Sequence, residues 1–190
     1  MNYALFLDRD GTLNEDTGYL KDPDGLIVYE GAGKALARIK DKFNYKLIVI
    51  SNQSGVARGY MSLEDVTKIN ERLNSELLRD GVAIDKFYVC PHHPEFSSAN
   101  DTDCRKPSPQ MVFSAAEEYN IDLSKSYFIG DKDIDIECGR NAGCKTMLVL
   151  TGEGNVHFST LQKANNLPNF VALNIVEACD LIYDDIEKNS

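Results

Sequence analysis

The sequence predicts an α/β fold in which a parallel sheet carries helices on both faces. Short apolar runs of strand length alternate along most of the chain with longer segments whose apolar residues recur at helical spacing. This alternation is typical of parallel sheets, because the connections between their strands are usually helices that pack on the sheet. The chain has 190 residues, of which 43% are hydrophobic, and this composition suits a packed core. We therefore expect residues 1–190 to form a single domain.

The first half of the chain contains three predicted strands and two predicted helices. Ala32, Leu36 and Ile39 recur at the spacing of one helical face. Ser62 and Asp65 form a capping-box pattern at the start of a second helix. In chain order, the predicted elements are a strand at Tyr3–Leu7, a helix through Ala32 and Phe43, a strand at Lys46–Ile50, a helix through Leu63 and Leu77, and a strand at Asp85–Cys90.

The second half continues the alternation after one long polar interruption. Tyr88–Ser108 is about twenty residues rich in Pro, His, Ser, Asn and Asp, and loops that long are uncommon in compact domains unless they serve a function. We place this insertion at about residues 90–106. The predicted elements beyond it are a helix opened by Pro107 and Pro109 that runs through Met111 and Ala116, strands at Tyr127–Ile129 and Thr146–Leu150 with a helix between them, and a last helix from Asn174 through Leu181.

Charge and composition exclude several classes of function. The chain carries 20 Lys plus Arg against 30 Asp plus Glu, a formal net charge of −10, whereas nucleic acids and anionic membranes are bound by basic surfaces. No apolar run approaches the roughly 20 residues of a membrane span, and the N-terminus has no signal-peptide pattern. The 5 cysteines are odd in number and irregularly spaced, which argues against a disulfide scaffold. We expect a cytoplasmic monomer with reduced cysteines.

Two aspartates directly follow the first predicted strand, in the run Asp8-Arg9-Asp10-Gly11-Thr12. In parallel sheets ligands bind outside the carboxyl ends of the strands, which is where this run lies. One carboxylate can attack phosphorus while the other protonates the leaving oxygen and later activates water. Two carboxylates so close repel each other unless a cation is present, which favours a hard metal such as magnesium. An acidic turn is the alternative for this run alone.

Two further motifs supply groups that bind anions. Ser51, Asn52 and Gln53 follow the second predicted strand, and their hydroxyl and amide groups can hold phosphate oxygens. An ordinary turn is the alternative there. Lys106 can neutralise a transferring phosphoryl group, and Arg105 can hold a second anionic or hydroxylated part of a substrate. A solvated basic pair is the alternative for these two residues.

The fourth motif is Gly-Asp-Lys-Asp-Ile-Asp at residues 130–135, after the fourth predicted strand. Asp131 is nearest to the strand end and is therefore the best candidate to complete a metal site, with Asp135 as a supporting acid. A helix N-terminus enriched in Asp is the alternative. Because all four motifs follow successive strands, their combination is much more specific than any one of them.

Together the four motifs resemble the haloacid dehalogenase (HAD) superfamily of phosphatases over essentially the whole chain. The resemblance implies a Rossmann-like core, Mg²⁺ and an aspartyl-phosphate intermediate. It identifies Asp8 as the nucleophile and Asp10 as the acid/base. It also implies that Asp8, the main-chain carbonyl of Asp10 and Asp131 bind magnesium, and that Ser51 and Lys106 stabilise the phosphoryl group. The segments after the first two motifs are too short for a folded cap domain, so we expect none.

Finer features resemble the heptose bisphosphate phosphatases of that superfamily. They are Ser-Asn-Gln-Ser-Gly-Val-Ala-Arg-Gly at residues 51–59, Cys-Pro-His-His-Pro at 90–94 and Cys-Arg-Lys-Pro at 104–107. The resemblance implies a sugar bisphosphate that loses its 7-phosphate, in the synthesis of heptose precursors for lipopolysaccharide or related surface glycans. Asn52 and Gln53 would bind this substrate, and Arg105, or less directly Arg58, would anchor its second phosphate. A histidinol-phosphate phosphatase and a non-catalytic phosphate-binding domain are the alternatives.

The same family holds a structural zinc ion through a Cys-x-His pair and a Cys-x-Cys pair. Cys90 and His92 match the first pair, but only Cys104 of the second pair is present, because Thr102 replaces the other cysteine. Structural zinc sites are normally four-coordinate, and neutral Thr is a poor ligand. The sequence therefore leaves two outcomes open, a zinc site completed by a nearby Asp or His and a loop without metal.

Overall fold

The structure is a computed structural model that describes residues 1–98 and 103–189. Strand and helix alternate along these residues, as the sequence pattern predicts. In chain order, the elements are β1 (Ala4–Leu7), α1 (Ala32–Phe43), β2 (Lys46–Asn52), α2 (Leu63–Leu78), β3 (Lys86–Cys90), α3 (Gln110–Tyr119), β4 (Tyr127–Gly130), α4 (Asp133–Ala142), β5 (Lys145–Val149), α5 (Gly154–Lys163), β6 (Phe170–Ala172) and α6 (Ile175–Lys188).

The strands form one 6-stranded sheet in the order β3-β2-β1-β4-β5-β6, and every pairing is parallel. The chain builds from β1 through β2 to β3 at one edge. It then returns to the other side of β1 and continues from β4 through β5 to β6. The strand order therefore reverses between β1 and β4, and open α/β sheets bind their ligands at such a reversal.

Helices cover both faces of the sheet, because successive residues of a strand point to opposite faces. Leu5 and Leu7 of β1 pack in the core cluster that contains α1 and α6, whereas Ala4 and Phe6 pack in the cluster that contains α3 and α4. A smaller cluster joins α4, β5 and α5. Strands buried on both faces read as continuous apolar runs, which is the pattern seen in the sequence. The predicted Rossmann-like α/β core is confirmed.

The predicted starts of two helices are confirmed by their capping bonds. The Ser62 hydroxyl accepts a hydrogen bond from the Asp65 backbone N–H at 3.1 Å, and the Asp65 carboxylate accepts one from the Ser62 backbone N–H at 2.8 Å. The Asn174 side chain accepts hydrogen bonds from the first backbone N–H groups of α6. These bonds satisfy donors that a helix N-terminus otherwise leaves without partners.

In the part of the chain that the structure describes, no cap domain is inserted after β1 or β2. The described residues between these strands and the helices that follow them form turns and one short 3₁₀ helix at Pro23–Gly25. The pocket at the carboxyl end of the sheet is therefore bordered by loops. No helix among the described residues has the length and apolar character needed to cross a membrane.

Candidate active site

A pocket of about 400 Å³ opens where the strand order reverses. Its walls come from the loop after β1, the turn after β2, the segment before α3 and the start of α4. All four predicted catalytic residues line it: Asp8, Asp10, Ser51 and Lys106. The volume lies within the range of about 300–1,000 Å³ that small-molecule sites occupy.

Asp8 follows β1 directly and is buried at the base of this pocket. Its Oδ1 accepts a hydrogen bond of 2.6 Å from Lys106 Nζ, and the described residues make no hydrogen bond to its Oδ2. Burial raises the pKa of Asp8 to about 7, although the positive charge of Lys106 opposes this rise. One oxygen is thus held by an ammonium group, and the other can face a substrate.

Lys106 lies at the centre of a buried cluster of charges. Its Nζ is 2.6 Å from Asp8 Oδ1 and 2.7 Å from Asp135 Oδ1, and it donates to the Ile50 carbonyl at 2.8 Å. Burial lowers the pKa of Lys106, but attraction to Asp135 and Asp8 outweighs burial and raises it. Lys106 therefore remains an ammonium group inside the protein.

Asn52 holds the backbone of this lysine. Its Oδ1 accepts from the Lys106 N–H at 3.0 Å, and its Nδ2 donates to the Lys106 carbonyl at 3.2 Å. Asn52 was predicted to bind the substrate, and it does line the pocket. Both ends of its amide bond to the Lys106 backbone, and these bonds join the segment before α3 to the end of β2. Its contact with a substrate stays a prediction.

Asp131 follows β4 and is fully buried beside Asp8 and Asp135. Its Oδ2 accepts from the Glu153 backbone N–H at 2.8 Å. Its Oδ1 is buried and has no hydrogen-bond partner among the described residues. Burial, together with the charges of Asp8 and Asp135, raises the pKa of Asp131 to about 8. An unpartnered buried carboxylate oxygen is costly unless a cation binds it.

This cluster fits Mg²⁺. Each of Asp8, Asp131 and Asp135 offers a carboxylate oxygen, and these atoms all lie within 4.8 Å of one another. Mg²⁺ prefers oxygen ligands and is typically bound through one or two carboxylates. A divalent cation would also offset the repulsion and desolvation that raise the pKa values of Asp8 and Asp131. The structure therefore brings together the two predicted carboxylate ligands, Asp8 and Asp131, and adds Asp135 beside them.

The carboxylate of Asp10 is directed at other protein groups. It accepts hydrogen bonds from Arg9 Nε at 3.1 Å and Nη2 at 2.8 Å, from Asn14 Nδ2 at 2.9 Å and from Gln53 Nε2 at 2.9 Å. Burial raises the pKa of Asp10, but the Arg9 charge and the hydrogen bonds outweigh burial and lower it. The carboxylate of Asp10 is thus engaged by three neighbouring side chains, and the magnesium ligand predicted at its main-chain carbonyl stays a prediction.

Gln53 connects two of the predicted catalytic residues. Its Nε2 donates to Asp10 Oδ2 at 2.9 Å and to the hydroxyl of Ser51 at 2.8 Å. Ser51 is buried at the end of β2 and lines the pocket. Gln53 was predicted to bind the substrate, and it would do so by exchanging one of these two bonds for a substrate oxygen.

Arg105 and Arg58 lie beside the site and form no salt bridge with an acidic residue in the described part of the chain. Arg105 lines the pocket and donates to the His92 carbonyl at 3.3 Å. Arg58 Nη2 is 2.8 Å from His93 Nε2, and its guanidinium stacks 5.0 Å from the centre of the Phe96 ring. Burial lowers the pKa of Arg105, and the nearby charge of Arg58 lowers it further. Within residues 1–98 and 103–189 neither arginine forms a salt bridge, so the pair favours an anion.

The zinc site that the sequence leaves open at Cys90, His92 and Cys104 is not formed in this structure. Cys90 and Cys104 are joined in a disulfide, with their Cα atoms 5.5 Å apart. Zinc binds cysteine as the thiolate, and a disulfide offers none. The expectation of a fully reduced chain is therefore wrong for these two residues, whereas the other three cysteines are free and buried. Thr102 lies outside the described residues.

Several residues of the site were not predicted from the sequence. Arg9 and Asn14 donate hydrogen bonds to the Asp10 carboxylate, and Asn70 accepts one from Arg9. Lys132 forms ion pairs with Asp16 and Glu153 beside the pocket. The one available signal was the position of Arg9 between two aspartates. Asn70 contacts Arg9 across 61 positions of sequence, and no local pattern reports a contact of that kind.

Comparisons with known proteins agree on one family. The model of the HAD-hydrolase-like family matches residues 103–178. A D-glycero-beta-D-manno-heptose-1,7-bisphosphate 7-phosphatase of Haemophilus ducreyi is 45% identical over 154 residues, which are 79% of this chain and 84% of that protein. A D-glycero-D-manno-heptose-1,7-bisphosphate 7-phosphatase of Chlorobaculum tepidum is 39% identical over 184 residues, 92% of this chain and 91% of that protein.

A solved structure extends this agreement to the fold. The crystal structure of D,D-heptose 1,7-bisphosphate phosphatase from B. bronchiseptica, complexed with magnesium and phosphate, is similar to this structure with a TM-score of 0.84. The two chains are 30% identical, and the match covers 97% of this chain and 99% of that one. The similarity thus extends over nearly the full length of both chains.

Proposed function

The chain belongs to the heptose bisphosphate phosphatases of the HAD-like hydrolases, and from this membership we propose that it hydrolyses the 7-phosphate of a D-glycero-D-manno-heptose 1,7-bisphosphate. The observation that carries the proposal is the Asp8–Lys106 pair, buried beside a cluster of carboxylates that fits Mg²⁺. The product, a heptose 1-phosphate, would serve as a precursor for lipopolysaccharide or related surface glycans. We place the reaction in the cytoplasm and the enzyme in a monomeric state.

Asp8 is the nucleophile in this mechanism. Its Oδ2 attacks the phosphorus of the 7-phosphate, the bond between phosphorus and the C7 oxygen breaks, and an aspartyl-phosphate forms. Asp10 donates a proton to the C7 oxygen, which departs as an alcohol. Water then attacks the phosphorus and passes a proton to Asp10, which releases inorganic phosphate and restores Asp8.

The other groups of the pocket stabilise charge on the transferring phosphoryl group. Asp8 and Asp131 would hold Mg²⁺, which would supply positive charge to neutralise the phosphoryl oxygens. Lys106 Nζ, 2.6 Å from Asp8 Oδ1, lies beside the point where the new bond forms, and the Ser51 hydroxyl can donate to a phosphoryl oxygen. The negative charge of an arriving phosphate also raises the pKa of Asp10 from its low resting value, which favours the protonated acid that the first step needs.

The second phosphate gives the two arginines a role. A sugar bisphosphate that places one phosphate at Asp8 carries the other several ångströms away. Arg105 lines the pocket and can form a bidentate hydrogen bond to that phosphate. Arg58 lies near Arg105 and adds positive charge. Histidinol phosphate lacks a second phosphate and would offer no anion to the two arginines.

Phosphate release from the two substrates at equal concentration tests the function. We expect kcat/KM for the heptose bisphosphate to exceed that for histidinol phosphate by about 100-fold or more, because a site built for a charged group rejects a substrate that lacks it. Asp8→Asn should remove this activity while leaving the fold intact. A preference for histidinol phosphate would contradict the proposed substrate but agree with the proposed phosphatase mechanism. Turnover of neither substrate would contradict the proposed function.

The Arg105→Ala variant tests the anchor for the second phosphate. Loss of a charge-assisted hydrogen bond of about 1.5–3 kcal/mol should raise KM for the bisphosphate about tenfold or more. KM for p-nitrophenyl phosphate, which has one phosphate, should stay unchanged. Lys163→Ala removes an exposed positive charge on α5 and is the matched control. Unchanged affinity of Arg105→Ala for the bisphosphate would reject this anchor.

A further inference from the structure

Arg9 lies between the two catalytic aspartates and is almost completely enclosed, with 1% of its surface exposed. Burying a guanidinium is costly unless its charge is paired and its donors are satisfied. Its Nε and Nη2 reach the two carboxylate oxygens of Asp10, and its Nη1 donates to Asn70 Oδ1 at 3.0 Å. The ion pair with Asp10 is the one salt bridge that Arg9 makes within the described residues.

This contact restricts the orientation of Asp10. A planar guanidinium that donates two parallel bonds to a carboxylate fixes the plane of that carboxylate as well as its distance. Asn14 adds a third bond at Oδ1, and Asn70, itself buried on α2, holds the far side of the guanidinium. Arg9, Asn14 and Asn70 all lie outside the pocket lining, so a substrate does not compete with them.

Gln53 differs from these partners because it lines the pocket. Its single Nε2 serves Asp10 at 2.9 Å and Ser51 at 2.8 Å. A leaving oxygen that approaches Asp10 from the pocket can displace Gln53 and leave both bonds from Arg9 in place. The carboxylate would then turn toward the reacting bond only as far as Arg9 allows.

We propose that Arg9, braced by Asn70 on α2, is a positioning residue that orients the Asp10 carboxylate for proton transfer to the leaving oxygen. The proposal rests on the phosphatase mechanism given above and assigns Arg9 no contact with the substrate. An ion pair that only stabilises the fold would show the same bonds. A positioning role and a purely structural role nevertheless predict different effects of an Arg9 substitution on substrates with different leaving groups.

The leaving group separates the two roles. Oxygen of a sugar alcohol needs a proton as it departs, whereas p-nitrophenolate departs without one. General acid catalysis typically contributes about 10²–10⁴-fold, and this contribution should be lost for the sugar ester alone. The quantity to measure is kcat/KM, because it covers only the steps up to the first irreversible departure and excludes hydrolysis of the aspartyl-phosphate.

Arg9→Lys and Asn70→Ala are the test variants, measured at saturating Mg²⁺. Lys keeps the charge but cannot donate two parallel bonds, and Asn70→Ala removes only the brace behind Arg9. We expect Arg9→Lys to lower kcat/KM for the heptose bisphosphate about 100-fold and that for p-nitrophenyl phosphate less than about threefold. Asn70→Ala should change the ratio of these two kcat/KM values in the same direction, but by a smaller factor. Thr67→Ala, exposed on the same helix, is the control and should change neither value.

An Asp10→Asn background gives the decisive comparison. If Arg9 acts through Asp10, adding Arg9→Lys to Asp10→Asn should cause no further loss for the sugar ester. Equal losses for both esters, or no loss for the sugar ester in Asn70→Ala, would overturn the proposal. If the wild type hydrolyses a different alkyl phosphate, the substrate assignment fails, and the same ratio measured with that ester still decides the role of Arg9.

Discussion

Two glycines enclose the Asp131 carboxylate and determine how closely the backbone can approach it. Gly11 and Gly152 have positive φ angles of 85° and 55°. A Cβ atom at either position would lie 2.2 Å from Asp131 Oδ2, and a Cβ at Gly152 would also lie 2.7 Å from Gly11 Cα. The Asp131 side chain is therefore enclosed by backbone on two sides, and its Oδ1 is buried without a hydrogen-bond partner among the described residues.

Gly152→Ala should weaken magnesium binding by displacing Asp131. Changes to groups that orient a metal ligand typically cost about 10–100-fold in affinity, and we expect an increase of that size in the Mg²⁺ concentration needed for half-maximal activity. Gly81→Ala is the matched control, because Gly81 has a φ of 82° but a Cβ atom added there would meet nothing within 4 Å. Both variants lose about 1–2 kcal/mol of stability from the left-handed backbone. An unchanged Mg²⁺ requirement in Gly152→Ala would contradict this account.

At the scale of elements, the sequence predicted those with strong periodicity and missed those without it. β1, β2, β4 and their helices were predictable because buried strands and amphipathic helices leave regular apolar patterns. β6 has only three residues, Phe170–Ala172, and α5 buries only Gly154 and Leu161, so neither pattern stands out. Asp8, Ser51 and Asp131 were predictable as candidate site residues from their places at the ends of strands, whereas the contact between Arg9 and Asn70 depends on how α2 packs beside the first loop.

The polar loop is the element in which the structure departs most from expectation. The Cys90–Cys104 disulfide joins the end of β3 to the residue before Arg105, across a separation of 14 positions. We expect the unfolded, unreduced protein to show 3 reactive thiols, from Cys138, Cys144 and Cys179. Closure of a loop of about 15 residues is worth about 3 kcal/mol, so reduction should lower the melting temperature.

A zinc-bound loop would give the opposite results in the same measurement. All 5 cysteines would react after unfolding, and metal analysis would find one zinc ion per chain. The Cys104→Ser variant is the control, because it should expose one additional thiol only if the disulfide is present. Five thiols together with zinc would show that this loop binds metal and that the disulfide is not its resting state.

At the scale of the whole molecule, the site joins segments that are distant in sequence. Asp8 follows the first strand and Asp131 follows the fourth. From the segment after β5, the Glu153 backbone N–H donates to Asp131, and the Thr151 hydroxyl donates to the Gly11 carbonyl. The chain has a net charge of −10, and three of its carboxylates are buried at this junction with one lysine. A bound cation should therefore stabilise the complete domain rather than one loop.

Magnesium should stabilise the protein more at pH 8 than at pH 6. Burial raises the pKa of Asp8 to about 7 and that of Asp131 to about 8 from a usual value of 3.8, so the folded protein holds protons that the unfolded chain has released. Without magnesium this contribution to stability is complete below about pH 4 and is lost as the pH rises through 7 and 8. Mg²⁺ binds the ionised carboxylates and should restore the stability that is lost at high pH.

Melting temperatures measured with and without Mg²⁺ at the two pH values test this linkage. Ligand at 100 times its dissociation constant adds about 2.7 kcal/mol, which corresponds to about 5–10 °C for a domain of this size. We expect a shift of that order at pH 8 and a smaller one at pH 6, where protons compete with the metal for Asp8 and Asp131. Asp131→Asn should abolish the shift at both pH values, because it removes a ligand while retaining the shape of the side chain. A shift that is equal at both pH values, or larger at pH 6, would mean that these carboxylates are already ionised in the folded protein without metal.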